Sequence, residues 1–409
     1  MQDNSLISHL FTEEYKEVKS INGIPWAYKN PEEKLIEWSY KTFSFFEHNS
    51  SILKSLQGKL NNNEFKGLTK QRIQKYLDDK NSYLKKSRKL LKDFLNNEQE
   101  VSSTSSQNIL SYEDLIFRDW LWGKSEVEQY YEKIQNDLTG REKNILVLGA
   151  GACGLSYTIA KNTTANVIAC DINPHLFLAA QKITNNKSFD SFEFTESPKE
   201  LSLYSKKVSI DGQEKLNNHF QVFCDFNQIP FKLGSFDTVV SCWFYDIIPS
   251  SLEESILHTN SYLNDEGKIL FLGPSNFNKN QISKQLTKEE IVEAFDLCFK
   301  SIKSDTFESD YLADTSKSQK RIETLLYICA SLPKNRKLLI YKEETHIPLN
   351  PQLDSYKQKI TIFEKILKHV TAGMSYEELS KKLEVEFGFS KEEAKYYTKN
   401  FMNKILSEL

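Results

Sequence analysis

The run Asn144-Ile-Leu-Val-Leu148 passes without a break into Gly149-Ala-Gly151-Ala-Cys153-Gly154, and LSYTIAKN follows. An apolar run of five, a loop with three glycines, and a helical pattern constrain the fold more than any other feature of the chain. The run reads as a buried strand, and the glycines as a turn too tight for a Cβ. The helix N-terminus behind the turn then presents unpaired N–H groups to whatever sits above it. This strand–turn–helix unit belongs to a parallel α/β sheet, with Gly149, Gly151 and Gly154 letting the backbone approach a nucleotide-like ligand. Gly154 also has an ordinary reading, as a close helix–strand contact. By itself the loop does not separate one adenosine-containing ligand from another.

The next two strand ends narrow the choice. Val167-Ile-Ala-Cys170 ends in Asp171, and a carboxylate there accepts hydrogen bonds from the two hydroxyls of a ribose. A third run closes on Cys224-Asp225-Phe226, an acid for an adenine amino group and a ring to pack on the base. Asp225 as a turn cap is the plainer alternative. IPFKLGSFDTVVSC then brings a short loop into a strand that opens on Phe236-Asp237. This order of features is typical of class I methyltransferases, which use S-adenosyl-L-methionine, and is not the usual continuation of a dehydrogenase.

Around this centre the chain divides by pattern. Residues 1–98 read as an N-terminal helical domain, from EEKLIEWSYKTFSFFEH and KYLDDKNSYLKKSRKLLKDFLNN. A polar tract makes 99–111 a linker. Residues 112–333 read as the α/β domain, led by the helices SYEDLIFRDWLWG and EVEQYYEKIQNDL and closed by an edge hairpin ending in ETLLYICAS. Residues 334–409 read as a small, winged-helix-like unit of one hairpin and three helices. Its Lys381, Lys382 and Lys391 are offset by Glu377, Glu378, Glu384, Glu386, Glu392 and Glu393. That balance favours a peptide or protein partner, or self-association, over nucleic acid, as does the net charge of −3. Six cysteines, none in a CxxC pair, fit buried thiols of a reducing compartment. With no signal-like N-terminus and no long apolar run, a cytoplasmic, membrane-free protein is expected.

Further motifs carry a family resemblance. Phe117-Arg118-Asp119-Trp120, followed by Gly123-Lys124 and Glu126, precedes the domain. Cys242-Trp-Phe-Tyr-Asp246-Ile-Ile ends the fourth strand, and Leu272-Gly273-Pro274 ends the fifth. Over residues 112–332 the set resembles the carnosine N-methyltransferase family. The resemblance implies that Arg118 grips the carboxylate of S-adenosylmethionine and that Cys242 lines the donor pocket with its backbone. It implies that Asp246 orients the acceptor imidazole and that Tyr311 stands on the acceptor side. Asn278 falls where the family has a histidine, so the donor site carries over better than the acceptor site. Tyr245 and Asn278 join Asp246 as acceptor-side candidates. His175 and His219 read as structural.

Plainer readings stand beside these. Arg118 and Asp119 would make a surface salt bridge on an amphipathic helix. Asp246 would cap the helix after Pro249. The expected reaction is N-methylation of an imidazole or amine on a peptide or small molecule. O-methylation of a carboxyl or hydroxyl, and a non-catalytic scaffold with a methyltransferase fold, remain the alternatives.

Overall fold

The computed structural model describes residues 4–15, 17–95, 107–275, 277, 285–334 and 375–387, together with 391, 394, 395 and 398. The chain forms two units, residues 1–339 and 340–409.

The first unit begins with two short strands, β1 (Ser20–Ile21) and β2 (Ile24–Pro25), paired antiparallel. Asn22 and Gly23 join them, both at positive φ (54° and 84°), the geometry of the tightest hairpin turn. The chain then runs along the edge of the main sheet, where the Ala27 N–H donates to Phe223 O at 2.9 Å. Trp26, Tyr28 and Trp38 bury their rings there with Phe94, Phe177 and Phe223. Helix α1 (Pro31–Asn61) starts with proline at its first position and Glu32 and Glu33 in its first turn, both favourable at a helix N-terminus. Helix α2 (Gly67–Leu90) folds back on it, burying Phe46, Leu53 and Leu60 against Ile73, Leu77 and Leu84. The residues expected as a separate helical domain therefore belong to the same unit as the sheet.

A single turn, α3 (Asp114–Phe117), runs into a π-helical turn, Arg118–Trp122, and α4 (Lys124–Gln135) follows after Gly123. Then comes the alternation expected from the sequence: β3 (Asn144–Leu148), α5 (Gly154–Asn162), β4 (Asn166–Asp171) and α6 (Pro174–Thr184). An antiparallel pair, β5 (Phe189–Phe194) and β6 (Ser205–Ile210), is inserted here. It was not expected, and it supports α2 through Phe192 and Phe194. The alternation resumes with β7 (His219–Phe223), β8 (Phe236–Cys242), α7 (Leu252–Asn260), β9 (Leu263–Pro274) and α8 (Lys288–Cys298). It closes on the hairpin β10 (Phe299–Asp310) and β11 (Ile322–Pro333).

The sheet order is β10-β11-β9-β8-β3-β4-β7. The five strands from β9 to β7 are parallel, and β11 enters antiparallel between β9 and β10. A dinucleotide-binding sheet ends in a sixth parallel strand. The reversed penultimate strand here makes this the Rossmann-like methyltransferase sheet. Ile145, Leu146, Val147 and Leu148 of β3 are at most 2% exposed. Burying each such side chain contributes roughly 1.5–3 kcal/mol, so the central strand is a rigid base for the loop above it. The chain runs outward from β3 through β4 to β7, then returns to place β8 on the other side of β3. A crevice opens at the strand ends where the order reverses.

In the second unit, Tyr376–Phe387 is a helix with Leu379 and Leu383 buried one turn apart. Ser375 and Glu378 form its capping box. The expected hairpin, the helix expected at 358–370 and all of the helix expected at 390–406 except residues 391, 394, 395 and 398 lie outside the described residues. Among the described residues no helix is long and apolar enough to cross a membrane.

Candidate active site

The three glycines of the loop after β3 each answer to a different neighbour. Gly149 and Gly151 sit at φ +57° and +55°, which a side chain rarely adopts. A Cβ on Gly149 would stand 2.3 Å from Phe244 Cδ2, and one on Gly151 2.8 Å from Leu115 Cδ1. Gly154 has no such backbone demand; a Cβ there would strike the Asp119 carboxyl, 2.6 Å from Cγ. Its own N–H donates to Asp119 Oδ2 at 2.8 Å. Asp119 thereby takes up one of the unpaired donors at the start of α5. Trp120 Nε1 adds a hydrogen bond to Ala152 O at 2.7 Å. The segment containing the FRDW motif is thus fastened over the glycine loop, with Leu115, Asp119 and Trp120 as the points of attachment. Gly154 lies beneath that fastening rather than on the ligand cavity, so its role is the close packing of chain on chain.

Arg118 and Asp119 are paired, but not at the surface. Arg118 Nε and Nη2 each stand 2.7 Å from Asp119 Oδ1, and the two side chains are 10% and 1% exposed. Nη1 faces Glu126 Oε1 at 3.7 Å. Burial alone would lower the guanidinium pKa; Asp119, Tyr130 and Glu126 outweigh it and hold the pKa above the ordinary value. The reading as an exposed salt bridge therefore fails. Adjacent residues reach the same spot because the π turn widens the helix by one residue, a feature common at functional sites.

A cavity of about 230 Å3 lies at the strand ends. Arg118, Gly149, Gly151 and Asp171 line part of it. Asp171 Oδ2 accepts the Gly151 N–H and Oδ1 the Asn173 N–H, both at 2.8 Å. Burial dominates these bonds and pushes its carboxyl up to about 6. Asp225 and Phe226 form another part of the wall. Asp225 does cap a short turn, accepting the Asn227 N–H at 2.9 Å, while still facing the cavity. The Phe226 ring is held edge-on by Phe244 and His258, at 5.3 and 4.9 Å between centroids.

Cys242, Asp246 and Tyr311 line the remaining wall. Asp246 Oδ1 is buried and has no hydrogen-bond partner among the described residues. Burial pushes this carboxyl up to about 6 as well. Asp246 is not a helix cap: Ser251 caps α7 through a full capping box with Glu254. The Cys242 thiol is pushed up to about 12, by burial above all, and stays protonated. Trp243 packs its ring 4.3 Å from that of Tyr311 and donates from Nε1 to Tyr130 OH at 3.1 Å. Trp243 and Tyr112, both on the cavity, and Cys153, in the glycine loop, carry positive φ without being glycine. Such strain costs of order 1–3 kcal/mol per residue and gathers at ligand sites.

Two expected acceptor-side residues are placed differently. Tyr245 points into the core, its ring stacked 5.9 Å from Phe271 and its OH donating to Thr259 Oγ1 at 2.8 Å. The short turn Tyr245–Ile247 sends neighbouring side chains in opposite directions, so Asp246 faces the cavity and Tyr245 cannot. Asn278 lies outside the described residues. His175 and His219 are buried and pushed down to about 4, hence neutral. Trp243, Phe244, Leu115 and Tyr112 line the cavity without having been singled out from sequence. Aromatic residues next to the strand-end acid were the available signal for the first two. Leu115 and Tyr112 became visible only once the π turn had docked.

No protein-family model matches the chain, and no curated protein matches it in sequence. Solved structures do resemble it. An S-adenosylmethionine-dependent methyltransferase from Methanosarcina mazei aligns with 49% of this chain and 97% of its own, at 15% identity and TM-score 0.35. Phosphoethanolamine N-methyltransferase 2 from Haemonchus contortus, solved with phosphomonomethylethanolamine and S-adenosylhomocysteine, aligns over 57% of this chain and 61% of its own (14% identity, TM-score 0.37). A possible histamine N-methyltransferase from Thermotoga maritima aligns over 53% and 99% (11% identity, TM-score 0.31).

Proposed function

We propose that this chain is an S-adenosylmethionine-dependent methyltransferase that methylates an imidazole or amine nitrogen of a small molecule or peptide, in the manner of the carnosine N-methyltransferase family. One observation carries the reading. One cavity is lined by a permanent cation, an open glycine turn, several aromatic residues and a buried carboxylate of which one oxygen has no hydrogen-bond partner among the described residues.

The donor end fits the methyl donor group by group. Asp119 occupies Nε and one side of Nη2 of Arg118, which leaves N–H groups on Nη1 and Nη2 for a carboxylate. Gly149 and Gly151 give the turn its positive φ and seat Phe244 and Leu115 against it, which keeps the turn's backbone on the cavity wall. Asp171 keeps lone-pair capacity for ribose hydroxyls beyond the backbone N–H groups it already accepts. Asp225 is placed for the adenine amino group and Phe226 for the ring. When bound, S-adenosylmethionine supplies a methyl group on a sulfonium, whose positive charge suits a wall bearing Asp171, Asp225 and Asp246.

On the acceptor side, Asp246 accepts the N–H of a neutral imidazole or amine. That fixes the ring tautomer and leaves the other nitrogen's lone pair facing the donor. Tyr311, Trp243 and Tyr112 supply π faces for a flat or cationic nitrogen compound. Asn278 is assigned to this side by its sequence position alone. The neutral nucleophile needs little general-base help, so holding the two groups in line is the protein's main contribution, worth up to about 7–11 kcal/mol. The C-terminal unit serves as a recruiting or self-association module for a peptide or protein, and the compartment is the cytoplasm.

Two measurements test this. Calorimetry with S-adenosylhomocysteine should show binding; no heat at high micromolar ligand sinks the donor site. Mass spectrometry of lysate peptides and metabolites should find nitrogen compounds that gain one methylene mass only when the protein is present. Products methylated on oxygen would overturn the choice of acceptor atom.

A further inference from the structure

Glu126 lies on α4, behind the cavity wall rather than on it, and is 4% exposed. Its two oxygens reach Tyr130 on the same helix, Arg118 in the turn before it, and Leu312 far along the chain. Oε1 accepts the Tyr130 hydroxyl at 2.9 Å and stands 3.7 Å from Arg118 Nη1. Oε2 accepts the backbone N–H of Leu312 at 3.0 Å. Tyr130 in turn receives Trp243 Nε1. Arg118 is the cation of the donor end, while Trp243 and Tyr311, the neighbour of Leu312, make the aromatic acceptor wall. Trp243 and Leu312 both hold positive φ, at 52° and 48°, conformations that persist only where surrounding bonds fix them. Glu126 and Tyr130 supply a bond to each of the two.

We propose that Glu126 is a positioning residue that couples the two ends of the cavity, so that occupation of Arg118 by a ligand carboxylate sets the Trp243–Tyr311 wall for the acceptor. This rests on the donor reading given above. A carboxylate on the outer edge of Arg118 fixes the guanidinium. The fixed guanidinium holds the Glu126 carboxylate in the rotamer that catches Leu312 N–H and Tyr130 OH. The acceptor wall is then held more firmly once the donor site fills, and the coupling acts through one charge rather than through a moving domain.

The test is hydrogen–deuterium exchange of the full chain with and without S-adenosylhomocysteine, read at peptides spanning Leu312 and Trp243. In the unaltered protein the ligand should slow exchange at both by about tenfold, an ordinary size for coupling between sites. Glu126→Gln loses the charge facing Arg118 and keeps one acceptor oxygen, so it can hold the Leu312 N–H or the Tyr130 hydroxyl but not both. It should bind S-adenosylhomocysteine yet lose the ligand-dependent slowing, whereas a glutamate that only holds the chain in place would speed exchange equally with and without ligand and leave the slowing ratio intact. Binding with slowing equal to the unaltered protein overturns the proposal. Failure of the unaltered protein to bind at all removes the donor site, and this inference with it. Should Glu126→Gln not fold, Tyr130→Phe separates the branches: slowing should survive at Leu312 and vanish at Trp243. Equal behaviour at both positions overturns the coupling.

Discussion

The two ends of the cavity are built differently. At the donor end nearly every polar group already has a protein partner. Asp119 holds both Arg118 and the Gly154 N–H, and Asp171 holds Gly151 and Asn173. At the acceptor end Asp246 stands on a wall that also carries Trp243, Phe244 and Tyr311, with one oxygen lacking a hydrogen-bond partner among the described residues. The first end is pre-organised for one fixed shape. The second keeps a costly group in reserve, which is affordable only if a substrate completes it. The contrast fits an enzyme whose methyl donor is constant and whose acceptor must supply the missing hydrogen bond.

Breaking the donor end should do the greatest damage. Arg118→Ala leaves Asp119 and Glu126 buried with no cation between them, and a loss of about 3–5 kcal/mol is expected. Chemical denaturation would measure it; an unchanged midpoint would mean the three groups are wetter than they look. Arg118→Lys keeps the charge but not the planar fork. It should fold and still bind S-adenosylhomocysteine measurably more weakly by calorimetry.

The acceptor end should break in the opposite sense. Asp246→Asn is expected to cut turnover by about 100–1,000-fold, roughly 3–4 kcal/mol of barrier, with little change in S-adenosylhomocysteine affinity. Equal losses in both would place Asp246 at the donor instead. The same variant should be more stable than the parent near neutral pH. Burial raises the Asp246 carboxyl from 3.8 to about 6, so the folded state binds its proton more tightly than the unfolded chain does. Stability attributable to this group is therefore present below about pH 4 and lost as pH rises through about 6, a cost of roughly 1–3 kcal/mol. Denaturation of variant and parent across pH 4–7 should show the difference growing in that window and flat above it. A difference that does not vary with pH removes the burial argument.

The smallest effect should fall outside both ends. Ser251→Ala deletes the cap of α7 and should cost about 1 kcal/mol, with ligand affinity unchanged. Loss of activity beyond that would tie α7 to the acceptor wall through Asp246.

What was legible in the sequence is the local part of the site. The strand before Gly149, the turn itself, and the acids closing β4 and β7 are each set by a few consecutive residues. Alternation of apolar runs with helical periods also foretold the parallel sheet and its closing hairpin. The β5–β6 pair escaped, because FDSFEF and SKKVSI alternate weakly and their partner surface is α2, more than a hundred residues earlier.

The sequence by itself thus determined which residues can turn, cap and end a strand, because those preferences act over one or two turns of backbone. Only the tertiary structure decided what each of them faces. It turned Gly154 from a ligand contact into a seat for Asp119, made Arg118 and Asp119 a buried pair, and sent Tyr245 inward and Asp246 outward from one short turn. Those outcomes depend on contacts between segments far apart in the chain and on the burial they impose. Burial also raises the carboxyl of Asp246, and no reading of neighbouring residues contains it.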